Sequence, residues 1–221
     1  MRWSPVEREA MTGDYDDKSG TAHPTKERIL QAAEEVFAER GFEGASTREI
    51  AAKAQVNISS LHYHWASKDA LYIAIVARVL DSLRERVRQS FIADAGGFDA
   101  RQLIERALGG VFDFFADNPR AARLLLRRIV DFGGPAGAES KDALGPSWHL
   151  FRDWTRDFTH GVLTDEDMNF LILAVQSLLL MTTLESPYVS ALRGGGLEKP
   201  EVRAALRRRL LGLVERMVVV Q

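Results

Sequence analysis

The sequence predicts an all-α fold, and three observations carry that prediction. From Thr25 onward the apolar residues recur three and four apart, as one face of a helix requires, and no segment alternates as a half-buried strand would. Residues that end or interrupt helices fall between these runs: Gly41, Gly96, Gly97, Asn118-Pro119, Gly133-Gly134-Pro135, Gly161 and Gly194 to Gly196. Side chains suited to capping stand where several runs begin, namely Ser46, Asn57 and Ser67.

Residues 1–23 have no apolar period and hold a small acidic cluster, Asp14, Asp16 and Asp17, so they are expected to form a flexible N-terminal arm. Ile29, Leu30, Ala33, Val36 and Phe37 then trace a first amphipathic helix that stops at Gly41. Ser46-Thr47-Arg48-Glu49 is a capping box, in which the Ser46 hydroxyl and the Glu49 carboxylate satisfy free amides, and it opens a short second helix through Ala54. Asn57 caps a third helix with Leu61 and Trp65 four residues apart, and Ser67 caps a fourth from Lys68 to about Phe91. Beyond Gly97 the helical candidates are Leu103 to Asp117, Arg120 to Phe132, Trp148 to His160, Asp165 to Leu184 and Pro200 to Val219.

Composition narrows the function classes. With 46% apolar and 27% charged residues the chain has the balance of a globular protein and not of a disordered one. The absence of cysteine removes disulfide frameworks, thiolate zinc sites and cysteine nucleophiles, and fits a reducing cytoplasm. The first ten residues lack the apolar core of a secretory signal, so no export is expected. The apolar run from Met168 to Leu184 is broken by Asn169, Gln176 and Ser177 and is too short to span a bilayer, which suits a buried or interfacial helix without membrane contact. Net charge is −2, and residues 24–68 hold six Lys and Arg against six Glu, so charge alone does not nominate a nucleic-acid surface.

Geometry does. Two short helices joined by a tight turn, the second with small residues on its outer face, satisfy the demands of a helix-turn-helix. At 100° per residue the third helix puts Ile58, Leu61 and Trp65 on the inner side, and Ser59 and Tyr63 opposite, flanked by Ser60 and His62. Leu61, Trp65 and Val56 are assigned to the core.

Ile29-Leu30 to Phe37, Gly41-Phe42, Thr47-x-x-Ile50-Ala51 and Leu61-x-Tyr63-x-Trp65-x-x-Lys68-x-x-Leu71 resemble the DNA-reading head of the TetR family, over about a quarter of the chain. The resemblance implies a helix-turn-helix DNA-binding domain at residues 24–70, joined by a long helix to a larger helical ligand-binding and dimerisation domain at 71–221. It implies that Thr47, His62, His64 and Lys68 contact phosphates, and that Arg48, Ser59, Ser60 and Tyr63 approach bases. The sequence departs from the family pattern at Gln55 and Asn57, where Gly and Ser are usual, at His62 for Tyr, and at Trp65 for Phe. The implied function is a ligand-responsive repressor that binds a pseudo-palindromic double-stranded DNA operator as a homodimer.

In the larger half, Phe115, Asp131, Trp148, His149 and Gln176 are candidate lining for a small-molecule effector pocket, with satisfied core or interface groups as the competing reading. The helices near residues 148–160 and 165–184 are the expected dimer contacts, because the second is apolar almost all round. Two rival functions compete with this one: a helical enzyme and a protein-interaction module that has lost DNA binding. His62 and His64, two residues apart on a helix, cannot share a metal. Gly194 to Lys199 lacks phosphate-loop spacing, and Asp165, Glu166 and Asp167 sit at a helix start, where acids suit the dipole. No enzymatic activity, no metal and no cofactor are expected. Arg123, Arg127, Arg128 and Arg207 to Arg209 read as solvated faces or partners of acids.

Overall fold

The structure, a computed structural model, describes residues 24–92, 100–130 and 164–219. Among these residues all regular structure is helical: α1 (Pro24–Gly44), α2 (Thr47–Lys53), α3 (Ile58–His64), α4 (Lys68–Ile92), α5 (Ala100–Asp117), α6 (Pro119–Val130), α7 (Asp165–Thr183), α8 (Pro187–Arg193) and α9 (Pro200–Val219).

The caps form where local chemistry places them. Ser46 Oγ accepts the Glu49 amide at 3.2 Å, Asn57 Oδ1 the Ser60 amide at 2.6 Å, and Ser67 Oγ the Ala70 amide at 3.1 Å. Only half of the expected capping box is made, because the Glu49 carboxylate turns away to Arg40, 2.8 Å distant. Gly41 (φ 73°) reverses the chain inside α1, which swings Phe42 back to stack on Phe37 and meet the edge of Tyr72. Helix α8 is not among the helices expected from periodicity, although Ser186 accepting the Val189 amide, Pro187 in the first turn and left-handed Gly194 at the end are helix boundary signals.

Two clusters of buried side chains hold the helices together. One runs from Ile29, Val36 and Phe37 of α1 through Ile50, Leu61 and Trp65 to Leu71, Ile75 and Val79 of α4, and on to Phe114, Phe115, Leu124 and Leu180. The other gathers Leu108 and Phe112 of α5, Val175 and Leu179 of α7, and Leu210, Leu211 and Val214 of α9. The domain boundary expected at residue 70 therefore falls inside a run of shared core, one residue before buried Leu71. No single helix among the described residues is long and apolar enough to cross a membrane.

Of the arginines expected on solvated faces or as partners of acids, Arg208 and Arg209 are exposed and Arg207 faces an acid, whereas Arg123 and Arg127 bond to backbone carbonyls of other segments. Arg127 of α6 donates to the carbonyls of Ala38 (3.0 Å) and Glu39 (2.7 Å), three and two residues before the break of α1 at Gly41. Arg123 donates to the Glu185 carbonyl, Arg128 is buried, and Arg207 lies 3.8 Å from Asp113. Glu35 of α1 takes Lys53 of α2 on one oxygen at 2.8 Å and Arg120 of α6 on the other at 2.6 Å. The hydrogen bond from Lys53, with the Arg120 guanidinium beside it, holds the Glu35 carboxyl below its usual range, and the same bond raises Lys53.

Candidate nucleic-acid interface

Helix α2 ends in a Schellman turn. The Gln55 amide donates to Ala52 O at 3.1 Å and the Val56 amide to Ala51 O at 3.0 Å, with Gln55 itself at φ 56°. That left-handed conformation is why glycine is the natural residue here; this chain carries a glutamine instead. The turn delivers Asn57, whose side chain starts α3.

Leu61 and Trp65 are buried in the cluster that also holds side chains of α1 and α4, and so fix one side of α3 against the core. An exposed arc of about 140° on a helical wheel begins at Ile58, beside Trp65, and runs through His62 and Ser59 to Tyr63 on the far side. Tyr63 is 85% exposed, its ring carried edge-on to His64 with centroids 5.2 Å apart. Ser60 and His64 flank the arc and are half-buried. Arg48 is exposed on α2, whereas Thr47 beside it is half-buried. Thus Ser59, His62, Tyr63 and Arg48 present their side chains freely, and Thr47, Ser60 and His64 do so only at the margin.

Two residues depart from the sequence-based expectation. Ile58, expected on the core side, is 36% exposed and sits at one end of the exposed arc. Lys68 is partly buried: its ammonium donates to the carbonyls of Phe42 (2.9 Å) and Ala45 (3.2 Å) and lies 4.3 Å from the centre of the Phe42 ring. It closes the carbonyl end of α1, a role that spacing along α4 could not reveal. One N–H of the ammonium is left for other partners.

Two of the effector candidates, Phe115 and Gln176, fall within the described residues. Phe115 is buried against Phe114 in the first core cluster, with ring centroids 5.3 Å apart. Gln176 is half-buried on α7, and Asp131, Trp148 and His149 lie outside the described residues. An apolar cavity of about 10 Å³, room for roughly one water, is lined by Leu108, Phe112, Val175, Leu179, Arg207 and Leu210 among others, and includes neither Phe115 nor Gln176. No group of three side chains suited to a metal ion occurs among the described residues.

Two seven-residue helices joined by a Schellman turn, the second with its outer arc clear of the core, define a helix-turn-helix DNA-binding protein. Residues 29–75 match the family of bacterial regulatory proteins called tetR. The regulator UidR of Escherichia coli is 30% identical over 167 residues, 68% of this chain and 85% of UidR. The transcriptional activator FasR of Mycolicibacterium smegmatis is 36% identical over 112 residues, and this chain spans half of its length. A crystal structure of a tetR-family regulatory protein from Rhodococcus RHA1 superposes with a TM-score of 0.66 at 23% identity, over 90% of this chain and 98% of that one, and so shares the fold. The chain belongs to the tetR family and is a DNA-binding transcriptional regulator.

Proposed function

We propose that this regulator is a cytoplasmic, ligand-responsive repressor that binds a pseudo-palindromic operator as a homodimer, with a small-molecule effector, no cofactor and no catalytic activity. The observation that carries the reading is the exposed arc of α3, whose tyrosine is 85% open to solvent on a helix fixed by buried Leu61 and Trp65. On this reading Ser59 and Tyr63, with Arg48, approach base edges in the major groove. Thr47, Ser60, His62 and His64 serve the groove walls and phosphates, and the remaining N–H of Lys68 is directed to a phosphate.

The dimer is supported by α7, where Phe170 (68% exposed), Leu173 (55%) and Met181 stand on one helical face. Leu213 of α9 is also exposed, which makes α9 a second candidate beside α7; the other expected contact, residues 148–160, lies outside the described residues. A two-fold pair would set its heads one DNA turn apart, roughly 34–36 Å, and a dimer seated there represses by occupying the promoter. Effector response requires that the body move the head. Helix α4 reaches both, and Arg120 and Arg127 tie α6 to α1.

The test is a titration of purified protein against DNA from upstream of its own gene, at two salt concentrations and beside a scrambled duplex. Two chains per duplex, competitor-resistant binding and a loss of several-fold or more in Tyr63→Ala with helix content intact are expected. Equal binding to both duplexes, unchanged by the substitution, would refute the reading, and one chain per duplex would refute the dimer. Operator binding that no candidate metabolite alters would remove the effector.

A further inference from the structure

The exposed arc of α3 contains one side chain that cannot hydrogen-bond. Ser59, His62 and Tyr63 all carry donors, but Ile58, at the edge of the same arc, offers only methyl groups. It is 36% exposed, so part of its surface is open on that arc, whereas Val56 two residues earlier is partly buried and packed on the first cluster. Asn57, accepting the Ser60 amide at 2.6 Å, fixes the turn from which Ile58 projects. A β-branched side chain has little rotamer freedom, so its methyl groups are presented in a narrow range of directions. In a helix-turn-helix the first residues of the second helix are those that meet base edges. The one apolar feature of a base edge in the major groove is the C5-methyl group of thymine.

From this we infer that Ile58 is a specificity-determining residue that reads a thymine methyl group, one in each half of the operator. Ser59 and Tyr63 beside it make polar contacts, and Ile58 disfavours cytosine at that step, which has no methyl group and brings an amino group that isoleucine cannot satisfy. The inference rests on α3 being the reading helix.

The test uses the full chain. Wild-type protein and Ile58→Ala are each used to enrich duplexes from a random-sequence library, and in the wild-type motif each thymine is replaced in turn by deoxyuridine, which removes only the methyl group. With wild type, one symmetric pair of thymines should lose about fourfold in affinity per half-site, the value of one buried methyl group. Ile58→Ala should be indifferent to that replacement and should enrich a motif with relaxed preference at the same step. The deoxyuridine scan of the wild type stands without any variant. A motif insensitive to deoxyuridine everywhere, or equally sensitive with both proteins, overturns the role of Ile58 and leaves α3 as the reader. A wild-type protein that enriches no motif overturns both.

Discussion

Replacing Lys68 with methionine separates two roles for one side chain. The ammonium donates to Phe42 O at 2.9 Å and Ala45 O at 3.2 Å and sits over the Phe42 ring. Methionine keeps much of the apolar stem but leaves the Ala45 carbonyl to water and the Phe42 carbonyl with the long bond from the Ala45 amide, 3.4 Å. Hydrogen bonds from a charged donor are worth about 1.5–3 kcal/mol each. Partial exposure reduces that, and the two bonds share one ammonium, so about 2 kcal/mol in total is a fair expectation. For a chain of this size that lowers Tm by about 4–8 °C. Circular dichroism melts give the shift. DNA binding is then measured well below Tm against salt, because a protein that neutralises one phosphate fewer has a slope of log K against log salt shallower by about 0.9. With both roles in place Tm falls and the slope becomes shallower, and a lower Tm with an unchanged slope would leave Lys68 as the closure of α1 alone. A variant that melts like wild type yet has the shallower slope would refute the anchoring argument and leave Lys68 as a phosphate ligand.

Two further substitutions follow from the same geometry. Gln55→Gly relieves a left-handed residue, worth about 1–2 kcal/mol, against the greater unfolded-state freedom of glycine, about 0.5–1 kcal/mol. A net gain of about 0.5–1 kcal/mol, or about 1–4 °C in Tm, is expected, and a lower Tm would show that the glutamine side chain is needed where it stands. Glu35→Gln breaks the link from Lys53 to Arg120. Because the Glu35 carboxyl is lowered in the fold, its contribution is present above the ordinary carboxylate pKa and fades as pH falls through the folded value. The variant should therefore be less stable than wild type at pH 7 and converge with it in acid, and melts that stay parallel from pH 7 to pH 3 would count against this.

How much could be read from the sequence depends on how far each partner lies along the chain. Ser46, Asn57 and Ser67 bond amides three residues away, so their caps are written locally. The bonds of Lys68 close over 26 and 23 residues, and those of Arg127 over 89 and 88, and no periodicity carries that information. Glu49 shows competition, since a local amide and Arg40 are both within reach and the charged partner holds the carboxylate. Ile58 shares the wheel angle of Trp65 to within about 20°, but it stands two turns earlier and keeps 36% of its surface exposed against 7% for Trp65. A wheel records direction and says nothing of depth along the axis. The residues of the exposed arc other than Ile58 were legible because buried Leu61 and Trp65 fix which side faces inward.

Side chains from elsewhere bond carbonyls near and just beyond the end of α1: Arg127 of α6 those of Ala38 and Glu39, Lys68 of α4 those of Phe42 and Ala45. The head is thus not a portable cassette. A hybrid regulator that joined residues 24–70 to another body would keep Lys68 but give up Arg127 and Arg120, along with the buried faces of Leu71, Ile75 and Leu124. Exchanging operators between such proteins calls for moving the few side chains of the α3 arc onto a resident head, leaving the seam between α1 and α6 as it is.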